Sequence, residues 1–100
     1  MSQGATFVPV KSFKTTIRMP EMAGTARFVM TVYAEGRRYF NRGTYNGATG
    51  ASDDSRFDEC PDLTGFFPCS ITAYGDGTTT RTNVGVIEFF QYGACCQRDA

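Results

Sequence analysis

The nine residues Ala26–Ala34 read Ala-Arg-Phe-Val-Met-Thr-Val-Tyr-Ala and set Phe28, Met30 and Val32 against Arg27, Thr31 and Tyr33. Side chains in a strand alternate between faces, so this stretch predicts a half-buried β-strand whose core face carries the even numbers. It meets Glu35-Gly36 and resumes as Arg37-Arg38-Tyr39-Phe40. Gly36 tolerates the positive φ of a tight reversal, which makes the pair of runs a hairpin.

Other segments follow the same period. Phe13, Thr15, Ile17 and Met19 oppose Ser12, Lys14, Thr16 and Arg18, and Pro20 ends the run. Ser70–Tyr74 and Thr78–Val84 flank Gly75-Asp76-Gly77 as a second hairpin, its threonine-rich arm suited to a sheet edge. Val84–Tyr92 is the most apolar stretch, with Val84 and Val86 on one parity and Ile87 and Phe89 on the other. That pattern predicts either cover on both faces or a bulge near Val86–Ile87. Residues 60–65 suit at most a short helical turn. No segment keeps a 3.6-residue period, so the expected fold is all-β: a small antiparallel sandwich or barrel of six to seven strands.

A chain of 100 residues makes one domain with one modest core. Residues 1–10 read as an extended arm, because Pro9 cannot donate to a ladder. Residues 43–59 read as a long polar loop with Asn46-Gly47 and Thr49-Gly50 as turn signals, and 93–100 as a cysteine-bearing tail. No apolar run approaches membrane-spanning length, and the first ten residues lack a secretory pattern, so cytosolic synthesis is expected.

Charge is unevenly spread although the net is zero. Residues 1–50 hold seven basic and two acidic side chains; residues 51–100 hold three basic and eight acidic. Such asymmetry suits an oppositely charged partner, a second copy included, unless the two halves interleave in space and cancel.

The chain has no histidine, which excludes imidazole-based triads and imidazole metal ligands. Lys11 and Lys14 fall on the polar face of a regular strand, a poor place for a desolvated base. Phosphate-loop and dinucleotide motifs are missing from the sequence. The expectation is a protein without enzymatic activity and without a cofactor. Asp53, Asp54 and Asp58, with Glu59 and Asp62 nearby, are candidate calcium ligands, but their spacing matches no EF-hand loop. Arg37, Arg38 and Arg42 interleave with Tyr39 and Phe40, and Arg38, Phe40 and Arg42 share a strand face. Such a surface suits salt bridges or an acidic protein; the neutral chain disfavours nucleic acid. Tyr39, Tyr45 and Tyr74 could stack on a sugar, though no tryptophan supports that reading.

Cys60 and Cys69 flank a short loop, and a bridge between them would stabilise by about 2.7 kcal/mol. Cys95 and Cys96 are adjacent, and a bond between neighbours is strained, so each suits a separate partner or an inter-subunit link. Four reduced thiols in a cytosolic protein are the competing expectation.

These features converge on a non-enzymatic structural protein that binds neighbouring subunits through its termini. Its expected setting is a virion, as a bacteriophage capsid decoration or tail accessory protein, made in the host cytoplasm and mature in an oxidising medium. Phe7, Val8 and Val10 of the arm would then add to a neighbour's sheet edge or groove. The alternative is an extracellular lectin-like or inhibitor module that uses the 43–59 loop with calcium. A third reading is a subunit that lends Arg38 to a partner's active site.

Overall fold

The computed structural model describes residues 5–6, 13–59, 61–75, 79–90 and 98–99. Eight strands occur there: β1 (Ala5–Thr6), β2 (Phe13–Thr15), β3 (Thr25–Ala34), β4 (Arg37–Asn46), β5 (Ser52–Phe57), β6 (Gly65–Tyr74), β7 (Thr80–Phe89) and β8 (Arg98–Asp99). Six form one antiparallel sheet in the order β2-β7-β6-β3-β4-β5, curled into a half-barrel. The two shortest, β1 and β8, pair with each other, Ala5 opposite Asp99 and Thr6 opposite Arg98.

Two hairpins make the centre. In the first, Glu35 and Gly36 both take positive φ (54° and 76°), the reversal whose twist matches its strands. Its register runs without a slip from Thr25 opposite Asn46 to Ala34 opposite Arg37. In the second, β6 and β7 pair from Gly65 opposite Phe89 to Tyr74 opposite Thr80. The hairpins join through β3 and β6, where Val32 lies opposite Cys69 and Arg27 opposite Tyr74.

Alternation then sorts the side chains. Ala26, Phe28, Met30, Val32 and Ala34 of β3 are buried on the inner face, as their parity requires. Tyr39 and Tyr45 of β4, Cys69, Ile71 and Ala73 of β6, and Ile87 and Phe89 of β7 complete the concave core. The Tyr45 hydroxyl donates to the Pro20 carbonyl at 2.6 Å, which fastens the β2–β3 link over one end of the core.

The curl brings the sheet's two outer strands together. The ring of Phe13 on β2 meets that of Phe57 on β5 edge to face at 5.6 Å. Both also pack against Phe89, at 6.0 Å each, and Phe67 joins at 6.3 Å. Aromatic pairs in this geometry contribute about 0.5–1.5 kcal/mol beyond the area they bury. A register shift between Thr44 and Tyr45 in the β4–β5 ladder adds local twist on that side.

Three readings of the sequence change here. The segment 43–59 is strand over most of its length: β4 continues to Asn46 and β5 begins at Ser52. Its polar residues pair because β4 offers an open edge, not because they carry an apolar face. Val84 and Val86 are neither covered nor shifted by a bulge; they stay on the outer face while Ile87 and Phe89 are buried. The β6–β7 ladder is regular through both valines. Cys69 is a free, buried thiol on the inner face of β6, not one half of a bridge. Burial raises its pKa from 9.0 to about 11.

The halves of the chain do interleave. In the sheet, first-half β2 is followed by the second-half pair β7 and β6, then the first-half pair β3 and β4, then second-half β5. A local basic strip survives on β3 and β4.

Candidate interaction face

The outer face of the sheet is built by the parity opposite to the core. From β7 it receives Thr80, Thr82, Val84, Val86 and Glu88; from β6, Phe66, Pro68, Ser70, Thr72 and Tyr74. From β3 it receives Arg27, Val29, Thr31 and Tyr33, and from β4 Arg38, Phe40, Arg42 and Thr44. Registers place these in rows across the strands. One row is Val84, Ser70, Thr31 and Phe40; the next is Thr82, Thr72, Val29, Arg42 and Arg56 of β5.

Two zones result. On β6 and β7, Val86 lies opposite Pro68, one step from Val84, and Phe66 lies opposite Glu88, two steps from it. Val84 is 78% exposed, Phe66 69% and Val86 39%, while Tyr33 on β3 is 42% exposed. A solvent-facing strand row is ordinarily polar, so these bare apolar side chains depart from the usual pattern of an outer sheet face. Thr72 and Thr82 share a hydroxyl hydrogen bond of 3.0 Å at the polar end of the same strands.

The second zone is arginine over aromatic rings. Arg38 lies over Tyr33 at 5.9 Å, Arg42 over Phe40 at 5.5 Å and Arg27 over Tyr74 at 5.7 Å. These contacts hold the guanidinium groups against the sheet and desolvate them little. Arg42 Nε also donates to Asp58 Oδ2 at 2.7 Å. Arg37 departs from the group: it lies over Tyr39 at 4.7 Å and pairs with Glu59. Both ion pairs are exposed, so each contributes about 0–1 kcal/mol to stability.

The other expected site residues distribute as follows. Arg38, Phe40 and Arg42 do share one face. Asp58 is turned to Arg42, and Asp53 and Asp54 are members of β5, so the acids are not gathered in a flexible loop. Among the described residues no cluster of three or more metal-ligating side chains exists. Tyr39 and Tyr45 are buried and offer no ring to a sugar; Tyr74 is exposed. Burial also raises the Tyr45 pKa above its usual value. Phe7, Val8, Val10, Cys60, Cys95 and Cys96 lie outside the described residues, as do residues 76–78 of the second hairpin's turn. Phe66, Val84, Val86, Arg27 and Arg56 belong to the face although the sequence pattern did not single them out. The signal for the valines was present in the double parity of residues 84–89. A cleft of about 620 Å³ lined by Arg18, Met19, Pro20, Glu21, Arg81, Thr82 and Asn83 opens beside the part of β7 that β2 does not reach. Comparison with models of known families, with curated proteins and with solved structures returned no match.

Proposed function

We propose that this chain is a non-enzymatic assembly protein that binds neighbouring protein subunits, with a small virion component as its setting. The bare patch of Phe66, Val84 and Val86 carries this reading. An isolated fold gains nothing from displaying such side chains beside Tyr33, and aromatic and arginine residues around an apolar centre are the composition of protein contact surfaces. The β1–β8 ladder supports it further. The pairing brings Ala5–Thr6 and Arg98–Asp99 to one place, so a partner that meets one segment meets the other. Within assemblies, a bacteriophage decoration or tail accessory protein suits adjacent Cys95 and Cys96, which can cross-link subunits once a particle meets an oxidising medium. An acidic calcium loop, the basis of the binding-module alternative, has no counterpart of this strength, because residues 52–57 are strand and Asp58 is engaged by Arg42.

The test is light scattering with a non-reducing gel on material from the natural source, repeated with Phe66→Ser and Val84→Asn together. The expected result is a large assembly that contains the protein and excludes the folded double variant. A monomer in natural material, or normal incorporation of the variant, overturns the reading.

A further inference from the structure

The geometry points to an extended acidic segment of a protein partner as the ligand of the arginine–aromatic strip on β3, β4 and β5. The inference rests on the assembly reading and names the chemistry of the contact. Arg42 and Arg56 stand directly opposite each other in the β4–β5 register. Like charges in opposed positions destabilise a sheet. Asp58 answers Arg42, but among the described residues no carboxylate pairs with Arg27, Arg38 or Arg56. The register also places Asp54 on this side of β5, opposite Thr44, so four arginines stand against two acids, Asp54 and Asp58, and the strip keeps a net positive charge.

The arginines are also prepared for carboxylates. Stacking over Tyr33, Phe40 and Tyr74 restrains three of the guanidinium groups before any partner arrives, which lowers the ordering cost of binding. Each guanidinium has five N–H donors in a fixed fork, and the bond from Arg42 to Asp58 uses one of them. That pair is an internal precedent for what the strip holds.

Spacing selects the form of the ligand. Arg38 and Arg42 lie on one face of β4 with Phe40 between them, so the two charges are separated by roughly 13 Å of strand. An extended peptide repeats its side-chain direction every second residue, with the same rise. A segment laid along β4 with an acid, then an apolar residue two positions on, then a second acid two positions further matches Arg38, Phe40 and Arg42 in order. Val29 and Thr31, half-buried on the neighbouring strand, border the apolar position. Single-stranded nucleic acid would also meet rings and cations, but a net charge of zero and guanidinium groups already over three rings favour the peptide.

The experiment is fluorescence anisotropy of the full chain with a labelled peptide repeating Glu-Ser-Phe-Ser. Companions are the same peptide with Lys or Gln for Glu, and a labelled oligothymidylate. The expected result is binding of the Glu peptide alone, weakened about tenfold or more between about 50 and about 300 mM salt. Arg38→Gln with Arg56→Gln should lower that affinity about tenfold, and Asp58→Asn should raise it by releasing Arg42. Equal binding of the Gln peptide, no binding of the Glu peptide, or tighter binding of the oligothymidylate overturns the inference. Light scattering of the unliganded protein at the same concentrations adds a further check: a dimer abolished by Arg56→Gln would make a second copy the occupant and overturn it too. If the protein enters natural assemblies while the arginine variants still incorporate, this inference fails and the assembly reading stands. If the Glu peptide binds as expected but natural material is monomeric, the assembly reading fails.

Discussion

The contact between Phe13 and Phe57 tests whether the sheet is curled, because these residues sit on the outermost strands of a six-stranded order. In a flat sheet strands about 4.8 Å apart would hold them more than 20 Å from each other, and their substitutions would be independent. In the half-barrel their rings are 5.6 Å apart and share Phe89 as a neighbour. The perturbation is a double-mutant cycle of Phe13→Ala and Phe57→Leu, the second chosen to keep apolar volume at a buried site. Phe13 is half-buried, so its truncation should cost about 1.5–2.5 kcal/mol, roughly half the cost at a full core position. Phe57→Leu should cost about 1 kcal/mol. The interaction energy should be about 0.5–1.5 kcal/mol, the ring–ring contribution that either substitution alone removes. Urea unfolding followed by far-UV circular dichroism measures all four corners of the cycle, and unchanged m-values would show that the same surface is exposed in each. Additivity within about 0.3 kcal/mol would refute the closure argument, because distant sites behave that way.

Two further predictions concern the ends of the core. Gly47→Ala should destabilise by about 3 kcal/mol or prevent folding, since an added Cβ would lie 2.3 Å from the Met22 carbonyl oxygen and 2.7 Å from that of Gly24; a thermal melt within a few degrees of the parent would refute that packing. Cys69 should make stability fall in alkali: the thiol ionises near 9.0 when unfolded but only near 11 when folded, so between those values the native state holds the extra proton and loses ground. The loss should approach about 2–3 kcal/mol and be absent in Cys69→Ala, read from urea midpoints across that pH range.

The first hairpin was legible because its residues obey the period of two with a turn signal between them; of the second only the part nearest its turn was, since β6 begins at Gly65 inside the expected 60–69 loop and β7 runs unbroken through Val84 to Phe89. Glu35-Gly36 and the even-numbered apolar set of β3 needed no tertiary information. β5 was not legible: Ser-Asp-Asp-Ser-Arg-Phe carries one apolar residue, and only the hydrogen-bonding edge of β4 makes it a strand. The valines misled for a different reason. Apolar residues on both parities imply two covered faces when burial is the sole motive for hydrophobicity, and here one face is bare. The shared face of Arg38, Phe40 and Arg42 followed from alternation within one strand. Its extension to Arg27, Tyr74 and Arg56 required the pairing of β3 with β6 and of β4 with β5, which alternation does not encode.

The position of β2 has a consequence for the order of synthesis. Phe13–Thr15 is the first strand of the main sheet to leave the ribosome, yet its ladder partner among the described residues is the far end of β7, Ile87–Phe89. At ordinary translation rates it waits roughly 4–15 s for that neighbour. During this interval the β3–β4 hairpin can form from contacts close in sequence, while Phe13 has no Phe89 to pack against. Among the strands of the main sheet β2 is therefore the last to be fastened, and a nascent chain completes that sheet only after residue 89 has been made.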